Sequence, residues 1–185
     1  MQTLIHPLEK LIEVITYQGV EFEVVERPDV IWVGCVDYAK DNVGEPDTSK
    51  ILKRYQKLVK AAPKNEPVNE DWSAALSINF SCTDQPSGMM FANECYTDKQ
   101  NKRYDLMTQP GGLWLRARVC EEADTALFGR SNHGGWEYFG ALEQAAQENG
   151  YRQNPDVHMQ IEYHCHAEYG TPPHTSYAYI PIVRV

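Results

Sequence analysis

Apolar and polar positions alternate with a period of two along most of this chain, with a helical period in a few stretches. Leu8, Leu11, Ile12 and Ile15 form one stripe after Pro7 and before Gly19, which predicts a short N-terminal helix over residues 1–19, packed on the domain or on a partner subunit. Phe22–Val36 is alternating and β-branched, with Pro28 as a bend or strand edge. Residues 39–48 are polar and hold Gly44 and Pro46, a loop. Thr48 or Ser49 then caps a helix with the stripe Ile51, Leu52, Tyr55, Leu58, Val59 and Ala62, stopped by Pro63. Leu76–Cys82 and Met89–Tyr96 read as strands around a turn at Asp84–Gly88, and Asp98–Arg103 is a charged connector.

The pattern then starts again. Pro110 and Trp114 repeat the spacing of Pro28 and Trp32 at an offset of 82 (110 − 28, 114 − 32). Leu113–Val119 continues as a strand, and a glycine-containing loop follows at Phe128–Gly135, within a long insert over Cys120–Gly135. Trp136, Phe139, Leu142 and Ala146 mark a helix that Asn149 and Gly150 end, with Trp136 on its core stripe. Met159–Cys165 lies over Leu76–Cys82 at an offset of 83, and Ser176–Val183 stands where Met89–Tyr96 stood. These matches predict an internal duplication of a strand-helix-strand-strand unit, with pseudo-repeats 20–103 and 104–185 in one domain, 20–185. Two such units make an α+β fold: one antiparallel sheet, two main helices on one face, and a central cleft between the halves.

Met159–Cys165 holds the residue of greatest interest. Glu162 sits in the middle of a strand-like run, opposite in parity to Met159, Ile161, Tyr163 and Cys165. At the offset of 83 it replaces Asn79, and positions that break an internal symmetry are where a site can specialise. Leu113, Leu115, Ala117 and Val119 form the helix-facing side of their strand and leave Trp114 on the other; Trp32 stands likewise. Ala178, Ile180 and Ile182 leave Tyr177 and Tyr179 opposite. The expected ligand-binding set is Glu162, Trp32, Trp114, Tyr177 and Tyr179 on one face, with Asn79 as the matching floor position. A cation docking beside a buried carboxylate restores its missing partner, and aromatic rings add about 0.5–2 kcal/mol of cation–π attraction. As a general base Glu162 would instead activate water, with a tyrosine hydroxyl donating to the developing charge.

The order of these signals, ending in Ile161-Glu162-Tyr163 and Tyr179-Ile180-Pro181-Ile182, resembles the GyrI-like small-molecule-binding domain, the effector-binding domain of bacterial transcription activators, over residues 20–183. The resemblance implies a twofold strand-helix-strand-strand fold and an aromatic cleft with an acidic residue near its middle. It also implies drug-like, often cationic and planar ligands, and carries the family glutamate onto Glu162. Some stand-alone members are similar to hydrolases of cyclopropane-bearing genotoxins; a further class for this chain is a gyrase-inhibitor-like interaction module, whose surface rather than cleft would matter. The expectation is a stand-alone protein that senses or sequesters xenobiotics, with those two activities as alternatives.

Composition narrows the partners. The 185 residues carry 17 Lys+Arg against 26 Asp+Glu, a net charge of −9, which repels nucleic-acid phosphates and favours cations. Lys50, Lys53, Arg54, Lys57 and Lys60 form one basic helix face, read as solvated. No apolar run spans a membrane and no basic-then-apolar leader is seen, so the expected compartment is the cytoplasm. Five cysteines without a Cys-x-x-Cys pair read as reduced thiols. His164, His166 and His174 lack a second cluster at zinc spacing, and no phosphate loop or nucleophile elbow appears, so neither metal nor cofactor is expected. An oligomer is compatible with all of this.

Overall fold

The alternating runs build a ten-stranded antiparallel sheet. The computed structural model describes residues 5–40, 44–62, 64, 69–80, 82, 84–131, 134–165 and 176–185. Strands β1 (Lys10–Tyr17) and β2 (Val20–Arg27) form a hairpin, followed by β3 (Val30–Tyr38), α1 (Thr48–Ala61), β4 (Trp72–Ile78) and β5 (Gly88–Cys95). The second half runs β6 (Asp105–Gln109), β7 (Gly112–Val119), α2 (Glu121–Phe128), a 3-10 turn (Gly135–Glu137), α3 (Tyr138–Glu148), β8 (Tyr151–Gln153), β9 (Met159–Cys165) and β10 (Ser176–Arg184).

Across the sheet the order is β1-β2-β7-β10-β9-β4-β5-β3-β6, with β8 on β10. The order is palindromic about the β9–β4 seam. Outward from it lie the second, third and first strands of each half. The leading strands β2 and β6 cross over, β2 pairing with β7 and β6 with β3. Gly111 lies where the two strand starts meet: its N–H donates to Asp29 Oδ1 at 2.6 Å, and a Cβ there would lie 2.9 Å from Arg27 O.

The register of the repeat differs from the sequence alignment. Ala75 pairs with Phe91 as Glu162 pairs with Ala178, an offset of 87 (162 − 75, 178 − 91). Asn79 therefore does not match Glu162. It lies past the end of β4 at φ +54°, and its side chain donates to Pro86 O. The first strands keep the offset of 82, so five residues of slippage fall in the connection between them and the seam, where side-chain pattern alone gives no register.

Residues 10–17 are a strand, not the expected N-terminal helix. Gln18 and Gly19, at φ +50° and +78°, make the two-residue turn that returns the chain as β2. Ile15 and Tyr17 are buried while Val14 and Thr16 are exposed, a period of two that the leucine stripe obscured. The run Phe22–Val36 divides into β2 and β3 on opposite wings of the sheet. The insert after Cys120 holds α2, and β6 and β8 are strands with no strong sequence signal. Helix α1 takes Asp47 as its cap, through Lys50 N–H at 3.1 Å, rather than Thr48 or Ser49.

Each face of the sheet has its own core. On one face α2 and α3 cover Leu115, Ala117, Ala178, Ile180 and Ile182. On the same face α1 packs over β3 and β5 through Ile51 and Leu58. The opposite face gathers Trp32, Trp72, Leu76, Met90, Trp114, Ile161, Tyr163, Tyr177 and Tyr179 with Ile5. Among the described residues no helix is long and apolar enough to cross a membrane.

Candidate functional site

Three helices stand on one face, and the two longest, α1 and α3, leave its middle uncovered. α1 packs on β3 and β5, and α3 on β7, β8 and β10, so β4 and β9 lie between their footprints. There a cleft of about 430 Å³ opens, lined by Leu52, Tyr55 and Gln56 of α1 and by Ser73, Phe91 and His164 of the floor. Cross-strand pairing sets Phe91, Ala75 and Glu162 in one row along this floor. The alanine methyl between a phenyl ring and a carboxylate keeps the row low.

Glu162 is half-buried, its side chain 15% exposed. Its Oε1 accepts the Gly135 N–H at 2.7 Å, at the 3-10 turn that precedes α3, and lies 3.5 Å from His164 Nε2. A Cβ on residue 135 would fall 2.7 Å from the Glu162 side chain and would displace it. No lysine or arginine pairs with Glu162 among the described residues. That sets it apart from the buried carboxylates Glu9 and Glu94, both of which have arginine partners.

The cleft wall is anchored from behind. Tyr55 donates its hydroxyl to Asn93 Oδ1, and Lys64 Nζ donates to Asn93 Oδ1 at 2.7 Å and to Tyr55 Oη at 3.3 Å. Burial pushes the Tyr55 phenol up and lowers Lys64. The raised phenol is neutral, and the hydrogen bonds to Asn93 and Lys64 hold the ring in place. On α3, burial raises the Glu143 carboxyl, which accepts from Gln160 Nε2 at 3.5 Å, one step along β9 from Glu162.

The expected aromatic set does not share this face. Trp32, Trp114, Tyr177 and Tyr179 pack in one core on the face opposite Glu162, and each is at most 6% exposed. The physical reason is ladder register: Glu162 pairs with Ala178, so it takes the helix-facing side, while Tyr177 pairs with Tyr163. Trp136, expected in the core, is 65% exposed on the 3-10 turn beside the Gly135 donor. Phe91, Ala75 and Tyr55 were not recognised from sequence as site residues. Tyr55 stood on the apolar stripe of its helix, but Ala75 fell before the expected strand Leu76–Cys82, and no face was legible for Phe91. His164 lines the cleft, while His166 and His174 lie outside the described residues; among those described, no group of acidic, histidine or cysteine side chains could hold a metal.

Behind the floor lies a buried polar network that the sequence reading missed. Arg27 Nη2 donates to Glu94 Oε1 at 2.6 Å and to Tyr163 Oη at 2.5 Å, with its guanidinium 4.9 Å from the centre of the Tyr179 ring. Arg116 donates to Glu23 Oε2 at 2.6 Å and to Tyr179 Oη at 3.0 Å, and pairs with Glu9. Burial pushes the Tyr163 and Tyr179 phenols up, so both are neutral.

No protein-family model matches this sequence, and no curated protein matches it. Solved structures do. SAV2435 bound to tetraphenylphosphonium is 11% identical and superposes with a TM-score of 0.59 over 88% of this chain and 93% of that one. A putative bacterial transcription regulation protein from Staphylococcus aureus MU50 is 14% identical, with a TM-score of 0.57 over 89% and 99% of the two chains. The EcmrR C-terminal domain is 13% identical, with a TM-score of 0.61 over 90% and 99%. At these identities the likeness is one of fold: the chain shares the α+β architecture of SAV2435 and the EcmrR C-terminal domain.

Proposed function

We propose that this protein binds amphipathic, cationic small molecules in the cleft between α1 and α3, with Glu162 as their counter-ion. The observation that carries the reading is a half-buried carboxylate beside the cleft-lining His164 and in one cross-strand row with the cleft-lining Phe91, held by one backbone N–H and beside no lysine or arginine among the described residues. Such a group is under-compensated, and a bound cation compensates it. The aromatic partners in this reading are Phe91 and Tyr55, lining the cleft, and Trp136, one residue from the Glu162 donor. They replace the tryptophans and tyrosines of the opposite face. The likeness to a tetraphenylphosphonium-bound fold supports the ligand class. The net charge of −9 draws cations toward the cleft.

The test is equilibrium titration with tetraphenylphosphonium and with neutral triphenylphosphine oxide, on the native protein and on Glu162→Gln. The variant keeps shape and loses charge. Its affinity for the cation should fall by about 1–3 kcal/mol, the worth of a hydrogen bond or contact to a charged group. The neutral analogue should change much less. Equal cation affinity in both proteins removes Glu162 from the site. Conversion of a strained electrophile at the same cleft, lost in Glu162→Gln, would favour hydrolysis over sequestration.

A further inference from the structure

We propose that the sheet face opposite the helices holds a second binding site, for amphipathic carboxylates, and that residues 5–9 of the chain occupy it in the free protein. It does not depend on the Glu162 cleft, which lies on the other face.

Ile5–Glu9 precedes β1 and has no regular secondary structure, yet Ile5, His6 and Glu9 are only 3%, 6% and 4% exposed. Short irregular segments are ordinarily at the surface because their backbone groups need water. This one places an apolar side chain in the aromatic core and a carboxylate against two buried arginines. Glu9 pairs with Arg116 Nη1 and lies 3.1 Å from Arg27 Nε, with Tyr179 Oη at 3.3 Å from Oε2.

The groups that receive Glu9 come from β2, β7 and β10, and do not need it to stay in place. Arg27 keeps Glu94 and Tyr163, and Arg116 keeps Glu23. Arg27 also has donors to spare. Its Nη1 has no hydrogen-bond partner among the described residues, and Nε meets Glu9 outside hydrogen-bond geometry. A tethered glutamate thus leaves part of the guanidinium unsatisfied, which an untethered carboxylate can approach freely. The cradle is also one-sided. At the offset of 82 Arg27 corresponds to Gln109, a neutral side chain that accepts from Trp32 Nε1 at 3.1 Å.

A surface cavity of about 410 Å³ is lined by residues 7–10 and 26–28; the Glu9 and Arg27 side chains are fully buried, so a ligand reaches the guanidinium when residues 5–9 lift away. The occupant defines the ligand class. A carboxylate takes the place of Glu9, and an apolar tail takes the place of Ile5 among the aromatic side chains. Because the occupant is tethered, its effective concentration is high, and an external acid must outcompete it. Removing the Glu9 carboxylate should therefore strengthen external binding.

The probes are octanoate and neutral octanamide, with tryptophan fluorescence as readout. Glu9→Ala should bind octanoate at least about tenfold more tightly than the native protein, with no gain for octanamide. Glu162→Gln should leave both affinities unchanged, which separates this site from the cleft. In the native protein, millimolar octanoate should accelerate amide exchange in residues 5–9. Equal octanoate affinity in the native protein and Glu9→Ala overturns the proposal. If Glu9→Ala does not fold, Glu9→Gln replaces it, and unchanged amide exchange in the native protein under octanoate overturns the proposal without any variant.

Discussion

Glu162 faces Ala75 across the seam where the two halves of the sheet meet, so equivalent positions of the two halves carry a carboxylate and a methyl group side by side. One half supplies charge beside the cleft and the other supplies a small side chain.

That relationship makes Ala75 a sharp probe of the cleft. Ala75→Leu should fill the gap between Phe91 and Glu162 and weaken tetraphenylphosphonium binding by at least about 1.4 kcal/mol, a factor of ten. The position is half-buried and pairs with the cleft-lining Phe91, so unfolding free energy should move by no more than about 0.5 kcal/mol. Titration and urea unfolding on the same preparation check both numbers. Undiminished binding would place the ligand elsewhere.

His6 links stability to pH. Burial, outweighing the nearby Glu94, lowers its pKa from the ordinary value. Its Nδ1 also accepts the Leu8 N–H at 3.2 Å, which requires the neutral ring. The unfolded chain then binds a proton more readily than the folded one. Stability is full above the unfolded pKa, near 6.5, and falls as pH drops below it, by at most about 1.4 kcal/mol per pH unit. Urea unfolding at pH 7.5 and 5.5 should show this loss. His6→Asn should show a smaller one, since its amide accepts the same N–H without titrating. Identical pH dependence would exclude His6 as the cause.

Two glycines should respond in opposite directions to alanine. At Gly34 a Cβ would lie 2.0 Å from Phe91 O and 2.7 Å from Ala92 Cα, a clash with the backbone of β5. Gly34→Ala should cost about 3 kcal/mol. Gly140 lies in α3 with nothing within 4 Å of its Cβ direction, and Gly140→Ala should stabilise by about 0.5–1 kcal/mol. Thermal melts of both variants decide, and a stable Gly34→Ala would contradict the β3–β5 register.

The five cysteines should all titrate as thiols in denaturant without reductant. In the folded protein Cys35 and Cys95, buried and raised in pKa by that burial, should react last with a thiol reagent. Cys82, Cys120 and Cys165 are half-buried and should react first. Fewer than five thiols in denaturant would point to a disulfide.

Much of the fold was legible in the sequence because it rests on local periodicity. Helix α1, strands β7, β9 and β10, and the apolar helix-facing sides of β7 and β10 follow from spacing alone. The Pro-x-x-x-Trp repeat correctly announced two similar halves meeting in one antiparallel sheet. The hairpin of β1 and β2 was missed because Leu8, Leu11, Ile12 and Ile15 satisfy a helical stripe as well as a strand. The pairing of β2 with β7, far along the chain, selects the strand.

The site depended on facts of another kind. Each strand fixes which of its residues alternate, but not which side of one strand joins which side of the next. Glu162 and Tyr179 were separately assigned to alternating sets, and only the pairing of Glu162 with Ala178 put them on opposite faces. A change of one residue in that register would have reversed the result, since side chains in a sheet repeat every second residue. The sequence by itself determined an acidic α+β chain with a carboxylate at the centre of a strand. Tertiary structure decided that this carboxylate meets Gly135, His164 and Ala75, and that Trp114, Tyr163 and Tyr179 close around Arg27, because contacts between distant segments are set by ladder register rather than by local pattern.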